Sequence, residues 1–178
     1  MKYVAFLRAI NVGGHTVKMD HLRGLFEALG LANVETFIAS GNVIFDAQKV
    51  KTLTLERKIE THLHDSLGYE VTTFIRSTAE LAAISSYKPF ASSELESDSN
   101  VIYVGFLAAS PSEEAKTKLL ELRNRFWDFH TNGRELYWLR RRLPDEVPFS
   151  GAPLEKILRM QITFRNVNTV RRLVSKYA

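Results

Sequence analysis

The polar residues around two glycines near the N-terminus have the types and spacing of an anion-binding loop. Arg8 and Lys18 supply positive charge, Asn11 supplies an amide, and Gly13-Gly14 lies between a predicted strand and a predicted helix. Backbone amides and the positive end of a helix attract anions at such a junction. The chain lacks the motifs G-x-G-x-x-G and G-x-x-x-x-G-K-[ST], so it carries no nucleotide-binding signature. A plain turn that needs glycine dihedrals is the alternative interpretation.

A second polar turn, Ser40-Gly41-Asn42, is predicted between two short strands. Glycine and asparagine tolerate the positive dihedral that a tight turn needs, and glycine also lets a ligand approach the backbone closely. Ser40 has no G-x-S-x-G elbow and no identifiable base, so turn formation is favoured over a role as nucleophile. The candidate ligand-binding residues in this half of the chain are Arg8, Asn11, Gly13, Gly14, Lys18, Ser40, Gly41 and Asn42.

Four further candidates, Arg165, Asn166, Asn168 and Thr169, precede the last predicted helix. Asparagine and threonine are common N-caps, which explains one asparagine but neither the second one nor the arginine. A guanidinium beside the free amides of a helix start would bind an anion. Alternatively, Arg165 pairs with a carboxylate or with loop carbonyls and has a structural role. Whether this group joins the glycine-loop site or only caps the helix is left open.

Other chemistries find little support in the sequence. The chain has no cysteine, which excludes disulfides, thiolate catalysis and cysteine-bound zinc. His62 and His64 are two residues apart on a predicted helix and so point to different faces, and we predict no metal site and no cofactor. Glu113-Glu114 lies at a predicted helix start, where the helix macrodipole accounts for it. No catalytic pair can be named, and enzymatic activity stays undecided.

Basic residues are unevenly distributed along the chain. Residues 1–100 contain ten Lys and Arg against twelve Asp and Glu, whereas residues 101–178 contain fourteen against eight. A basic half could attract nucleic acid, but the excess is spread widely, so a solvated surface is the favoured interpretation. No apolar run approaches the roughly 20 residues of a membrane-spanning helix, and the N-terminus lacks the pattern of a signal peptide. We therefore predict a cytoplasmic protein without membrane contact.

Hydrophobic periodicity predicts the order strand, helix, strand, strand, helix, strand twice. In the first half we expect strands at 2–10, 34–38, 43–45 and 71–75 and helices at 19–29 and 55–67. Ser77 and Glu80 form a predicted capping box that opens a further helix, and Ser110 and Glu113 form another one. Asn132-Gly133 is typical of a tight hairpin turn. We find no residue-level repeat between the two halves.

This element order with antiparallel pairing is the ferredoxin-like motif, so the predicted class is α+β with two ferredoxin-like (βαββαβ) subdomains. The predicted boundaries are residues 1–90 for subdomain one, 91–99 for a serine-rich acidic linker, and 100–178 for subdomain two with a C-terminal helix. Together they are expected to form one compact unit. Right-handed crossovers end strands one and two at the same sheet edge, which predicts that the loops at 11–14 and 40–42 are neighbours.

Several motifs stand in a fixed order along the chain. They are Tyr3-Val-Ala-Phe-Leu-Arg-Ala-Ile-Asn-Val-Gly-Gly14, Lys18-Met19 with Leu22 and Leu25, Ser40-Gly-Asn-Val-Ile-Phe45, and Thr163-Phe-Arg-Asn-Val-Asn-Thr-Val170. Together they resemble the bacterial domain-of-unknown-function 1697 family. The resemblance implies two ferredoxin-like subdomains and no activity, because that family has no established one. The chain departs from the family pattern at Ala9, His15 and Val167.

Three function classes follow from these observations. The first is binding of a small polar or anionic ligand at the loop after strand one and the turn between strands two and three. The second is RNA or DNA binding through the basic second subdomain, because a ferredoxin-like sheet is also the scaffold of the RNA-recognition motif. That mode needs paired aromatic rings on the open sheet face, but strand one offers Tyr3 or Phe6 and strand three only Phe45, and the segment at 40–45 lacks the basic-aromatic pattern of an RNP1 motif. The third is a structural or protein-interaction module.

Overall fold

The computed structural model describes residues 1–38 and 41–178 and divides into two compact units. The first unit comprises Met1–Ala82 and Leu173–Ala178, and the second unit comprises Ala83–Arg172. The fold is α+β, and each unit contains one four-stranded antiparallel sheet.

The first unit has the ferredoxin-like topology that the sequence predicts. Its elements are β1 Lys2–Leu7, α1 Met19–Glu27, β2 Ala32–Thr36, β3 Asn42–Asp46, α2 Thr52–Leu67 and β4 Thr73–Ser77, followed by α3 Thr78–Ser86, which runs into the second unit. The strand order is β2-β3-β1-β4, and each neighbouring pair is antiparallel. Apolar residues of β1, β3 and β4 pack against α1 and α2 to form its core.

The second unit repeats this topology. Its elements are α4 Ser92–Leu95, β5 Asn100–Phe106, α5 Glu113–Glu121, β6 Trp127–Asn132, β7 Glu135–Arg141, α6 Ala152–Leu158, β8 Thr163–Asn166 and α7 Val167–Tyr177, whose last residues belong to the first unit. The strand order is β6-β7-β5-β8, again antiparallel. Its core lies between this sheet and the helices α5 and α6.

The first strands of the two sheets share a short residue-level match, which our sequence interpretation missed. Tyr3-Val-Ala-Phe-Leu7 on β1 corresponds to Tyr103-Val-Gly-Phe-Leu107 on β5 and its continuation. In both sheets the valine of this segment lies opposite a buried arginine, because Val4 pairs with Arg76 and Val104 pairs with Arg165. The match is short and contains one difference, Ala5 against Gly105. It is therefore recognised only when the strand registers of the two sheets are compared.

Local signals set several element ends. The predicted capping box is present, because the Glu80 carboxylate accepts a hydrogen bond from the Ser77 amide at 2.7 Å and the Ser77 hydroxyl accepts one from the Glu80 amide at 3.1 Å. The capping box predicted at Ser110 and Glu113 is wrong. Ser112 is the N-cap instead, and its hydroxyl accepts a hydrogen bond from the amide of Ala115. Two serines two residues apart compete for this position, and their spacing alone does not decide between them.

The hairpin between β6 and β7 is present, although its register differs from the predicted one. Asn132 pairs with Glu135, so the two-residue loop is Gly133-Arg134 and not Asn132-Gly133. Gly133 has a φ of +57° and occupies the first loop position, where such turns need glycine.

Residues 91–99, predicted as a linker, contain the short helix α4. Glu94 on this helix forms an ion pair with Arg141 at 2.6 Å and accepts a hydrogen bond from the side-chain amide of Asn100 at 2.8 Å. The serine-rich acidic composition therefore belongs to a segment that is fastened to β5 and β7 of the second unit.

Three glutamates bind the outer edge of β4. The amides of Thr73, Ile75 and Ser77 point away from β1, and they donate to the carboxylates of Glu60, Glu56 and Glu80 at 2.9, 2.8 and 2.7 Å. In the second unit, Glu155 accepts a hydrogen bond from the amide of Ile162, immediately before β8. Because an edge strand otherwise leaves these amides without a protein partner, the three carboxylates satisfy the outward amides of β4.

Candidate functional site

The two glycines after β1 form a tight turn. Val12 and His15 form an isolated β-bridge, and the His15 amide donates to the Val12 carbonyl at 3.1 Å. Gly13 and Gly14 lie between them with φ values of +59° and +84°, the left-handed pair typical of a two-residue hairpin turn. No atom lies within 4 Å of the position that a Cβ would take at either glycine. The backbone dihedrals, and not close packing, therefore require glycine here.

The same loop is fastened at both ends. Ile10 and Val17 are buried in the core of the first unit, whereas residues 11–16 between them are exposed. The side-chain oxygen of Asn11 accepts a hydrogen bond from the amide of Val17 at 2.9 Å, which closes the base of the loop. Arg8 is half-buried, and its backbone amide donates to the carbonyl of Thr72. Lys18 is exposed at the N-cap of α1, and no side chain caps this helix.

The loop between β2 and β3 lies beside the glycine loop. The carbonyl of Gly41 accepts a hydrogen bond from the amide of Leu7 at 2.8 Å. A Cβ at Gly41 would lie 3.2 Å from the Cβ atoms of both Leu7 and Ile10, and its φ of +77° also favours glycine. Gly41 therefore lies beside the start of the glycine loop, and the predicted proximity of residues 11–14 to residues 40–42 stays a prediction. Ser40 lies outside the residues that the structure describes, together with Ala39.

The side chain of Asn42 forms hydrogen bonds inside the protein. It is fully buried, its side-chain amide donates to the carbonyl of Phe37 at 3.0 Å, and the Phe37 amide donates to the Asn42 carbonyl at the same distance. These contacts hold together the two ends of the β2–β3 loop. The sequence predicted a polar group facing a ligand, but this amide is turned into the protein because the loop ends need hydrogen-bond partners there.

Backbone strain is concentrated in these adjacent loops. Ala9, Asn11 and Ile38 have φ values of +64°, +58° and +58°, although none of them is glycine. A non-glycine residue in this region typically costs about 1–3 kcal/mol, and a β-branched residue such as isoleucine is a marked outlier. Asn11 tolerates it best, because its side chain bonds locally. Sequence reasoning gave no warning of the strain at Ala9 or Ile38.

His15 lies in the glycine loop and Tyr69 lies beside it. Neither residue was among the site candidates predicted from the sequence. Their rings stack with centroids 3.9 Å apart. Within residues 1–38 and 41–178 the buried Tyr69 hydroxyl has no hydrogen-bond partner, and burial raises the pKa of this phenol. The Tyr69 hydroxyl is therefore available as a hydrogen-bond donor beside the glycine loop. The position of Tyr69 directly after the helix-ending Gly68 is the only sequence signal that could have pointed to it.

The candidates at the end of the chain belong to the second unit, and their contacts are structural. Arg165 is 8% exposed, and its Nη1 donates to the Thr163 hydroxyl at 2.7 Å and to the Phe164 carbonyl at 2.9 Å. Burial lowers the pKa of this guanidinium to about 10. The Asn166 side chain accepts a hydrogen bond from the amide of Asn168 at 2.9 Å, as an N-terminal cap of α7 does.

Asn168 and Thr169 complete this group. Asn168 is exposed, and its side-chain oxygen accepts a hydrogen bond from Nη1 of Arg171 at 3.2 Å, while Thr169 is half-buried in the first turn of α7. The two asparagines therefore have separate partners, which the sequence left unexplained. Arg171, one helical turn further on, is exposed, as is the adjacent Arg172.

The geometry disfavours the RNA-recognition mode in the first unit. Tyr3, Phe6 and Phe45 are at most 2% exposed, so none of these rings presents a face on which a base could stack. Part of the positive charge of the second half is also neutralised. Arg140 pairs with Glu146 and Arg125 pairs with Asp145, in addition to the pair of Arg141 with Glu94.

In residues 1–38 and 41–178 there is no group of three or more His, Asp or Glu side chains that could hold a metal ion. No helix within those same ranges is long and apolar enough to cross a membrane.

Comparisons with known proteins place the chain in a family. A search of the curated proteins finds no match. Among solved structures, the chain resembles a conserved bacterial protein from Streptococcus pneumoniae, with 24% sequence identity, a TM-score of 0.65, and coverage of 98% of this chain and 97% of that one. This likeness concerns the fold. Residues 1–137 match the family described as protein of unknown function DUF1697, a range that ends before the motif at 163–170. The chain therefore belongs to the DUF1697 family, whose function is unknown.

Proposed function

We propose that the first unit binds a small polar or anionic ligand at the two adjacent loops, residues 8–18 and the described ends of the β2–β3 loop, 37–38 and 41–42. The observation that carries the proposal is the clustering of three strained non-glycine residues, Ala9, Asn11 and Ile38, in neighbouring loops at one end of a sheet. Strain of this kind is found preferentially at ligand-binding and catalytic sites, where the surrounding structure maintains it.

Charge and hydrogen-bond donors support an anion as the ligand. Lys18 is exposed at the start of α1, a helix end that no side chain caps, and Arg8 lies at the beginning of the same loop. Positive charge and backbone amides at a helix N-terminus favour anions. Asp20 in the first turn would oppose an anion, but its carboxylate is paired with Arg23 at 3.1 Å.

The alternatives are weaker on the same observations. Nucleic-acid binding lacks exposed stacking rings in the first unit. A purely structural role would account for Asn42 and Arg165 but not for the strained, exposed part of the glycine loop. We propose no catalytic residue, and the cytoplasmic location stays a prediction from the sequence.

Calorimetric titration of the full chain with inorganic phosphate tests the proposal, with glycerol as a neutral comparison. Lys18→Gln should weaken phosphate binding about tenfold, because one charged hydrogen bond contributes roughly 1.5 kcal/mol or more. Lys58→Gln changes an equally exposed lysine on α2 and should leave the affinity within about twofold, as for other surface changes. No phosphate binding at millimolar concentration, or equal effects of the two substitutions, would contradict a site at this loop.

A second titration separates this proposal from nucleic-acid binding. Short RNA and DNA should give no binding at low salt if the loop recognises only small anions. Binding with a steep salt dependence would instead favour the nucleic-acid alternative.

A further inference from the structure

A cavity of about 370 Å³ lies within the second unit. Ile102 and Tyr137 form its floor on the sheet. On β7 the neighbouring residue Leu136 packs into the core with α5 and α6, and side chains alternate along a strand. The cavity therefore lies on the sheet face opposite those two helices. Its size is within the range of about 300–1,000 Å³ that small-molecule sites occupy.

The rim of this cavity carries a surplus of positive charge. Lys88, after the end of α3, and Arg171, on the first turns of α7, both line it and are both exposed. Arg171 donates to the neutral side chain of Asn168, and in the described part of the chain no carboxylate pairs with either cation. Glu96 is the one acidic residue among the lining residues. Two cations against one carboxylate favour an anionic group at this rim.

The wall supplies one exposed aromatic ring, that of Tyr87, and the floor supplies the poorly satisfied hydroxyl of Tyr137. Tyr137 is 1% exposed, and its hydroxyl donates to the carbonyl of Ile84 at 3.5 Å, well beyond the usual 2.5–3.0 Å for such a bond. Burial raises the pKa of this phenol, so the hydroxyl stays a donor. The ring of Tyr87 lies 5.3 Å from that of Tyr137, and its own hydroxyl is bonded to Nε2 of His130 at 2.7 Å.

We propose that this cavity binds a small organic anion, a compound with a flat apolar body and one carboxylate or phosphate group. Lys88 and Arg171 bind the anionic group at the rim, because paired cations give the strongest hydrogen bonds to such oxygens. The apolar body packs on the exposed ring of Tyr87, and an acceptor on the ligand replaces the long contact of the Tyr137 hydroxyl. This site is in a different unit from the phosphate site proposed above and does not depend on it.

Calorimetric titration of the full chain with phenyl phosphate, benzoate and benzyl alcohol tests this site. Phenyl phosphate or benzoate should bind at least about tenfold more tightly than benzyl alcohol, since the neutral compound forms no charge-assisted hydrogen bond. The stronger of the two anions identifies the preferred acidic group. Equal binding of the neutral and the anionic compounds, or no binding at millimolar concentration, would overturn the proposal.

Matched variants locate the site. The double variant Lys88→Gln with Arg171→Gln should weaken binding of the preferred anion by about tenfold or more. The control double variant Arg142→Gln with Lys156→Gln removes two charges of the same unit that do not line the cavity, and it should stay within about twofold. Equal losses in both pairs would mean diffuse electrostatic attraction and would contradict a built site.

Tyr137→Phe tests the floor of the cavity separately. It keeps the ring and removes only the hydroxyl, so binding should weaken by about threefold to tenfold, the range for one neutral hydrogen bond, while the melting temperature changes little. Lys18→Gln, which should impair the phosphate site of the first unit, should leave this binding unchanged. If Lys18→Gln alone weakened it, the compound would be bound at the glycine loop and the cavity proposal would fail.

Discussion

The connection after the first strand differs between the two units, although their sheets have the same strand order. In the first unit it runs over residues 8–18 and contains four residues with left-handed dihedrals. In the second unit it runs over residues 107–112, contains none, and ends at a serine N-cap. The topology therefore forms with a short, unstrained connection. The exposed and strained part of the longer loop is not needed to join a strand to a helix, which supports a binding role for it.

The interiors of the two units differ as well. Both carry a buried arginine at the matching position of the fourth strand, Arg76 at 1% exposure and Arg165 at 8%. On the helix side of its sheet, the second unit has a ring cluster that contains tryptophan, in which Trp138 stacks on Tyr103 at 4.8 Å and contacts Phe149 at 5.0 Å. Both tryptophans of the chain, Trp127 and Trp138, lie in this unit, so their fluorescence reports on it selectively.

The largest effect should come from the matched arginines. Arg76→Ala and Arg165→Ala should each lower the free energy of unfolding by roughly 2–4 kcal/mol, because each leaves a cavity and buried acceptors without a partner. Urea unfolding followed by tryptophan fluorescence measures the second unit, and far-ultraviolet circular dichroism measures the whole chain. Arg165→Ala should shift the fluorescence transition, whereas the exposed control Arg142→Ala should move it by less than about 0.5 kcal/mol.

The outcome also decides between two roles of Arg165. If Arg165→Ala left stability unchanged and abolished anion binding, the structural role argued from its contacts would be wrong. An anion site at the start of α7 would then be favoured.

A smaller effect is expected where the matching strands differ by one methyl group. At Gly105, which corresponds to Ala5, a Cβ would lie 2.8 Å from Cγ2 of Ile162 and from Cε1 of Phe164. Gly105→Ala should therefore destabilise by roughly 1–3 kcal/mol through overpacking. The further substitution Phe164→Leu shortens one of the two obstructing side chains. It should restore part of the lost free energy of unfolding, measured by urea unfolding with tryptophan fluorescence. A Gly105→Ala variant as stable as the parent would mean that the first strands of both units accept the same residue.

The smallest effect concerns the pH dependence of the ion pair that fastens α4. Hydrogen bonding to Arg141 lowers the pKa of Glu94 from its ordinary value of 4.5, even though burial opposes this. A lowered carboxyl pKa stabilises the folded state fully above about pH 4.5 and loses this contribution as the pH falls through the folded-state pKa. Arg141→Gln should remove that part of the acid dependence, at most about 1 kcal/mol for a partly exposed pair. If the free energy of unfolding fell with decreasing pH in the same way for the parent and for Arg141→Gln, this would contradict a stabilising role of the Glu94–Arg141 ion pair.

Much of the fold could be predicted from the sequence, because helix periodicity, capping residues and glycine turns are local signals. The Ser77 capping box and the glycine that ends α2 are examples. The candidate site was harder to predict. Asn42 and Arg165 are polar residues of types usually found at the surface, and only their tertiary partners explain their burial. Strain at Ala9 and Ile38 arises from neighbouring loops, so no property of those residues indicates it.

The glutamates along β4 have a consequence for how this protein can associate. Thr73, Ile75 and Ser77 already use their outward amides, so an extended peptide or a second copy that joined the sheet through β4 would have to displace three carboxylates. Intermolecular strand addition is a common route to amyloid growth, and it starts from available edge amides. The side chains of α2 and α3 therefore protect this edge against aggregation.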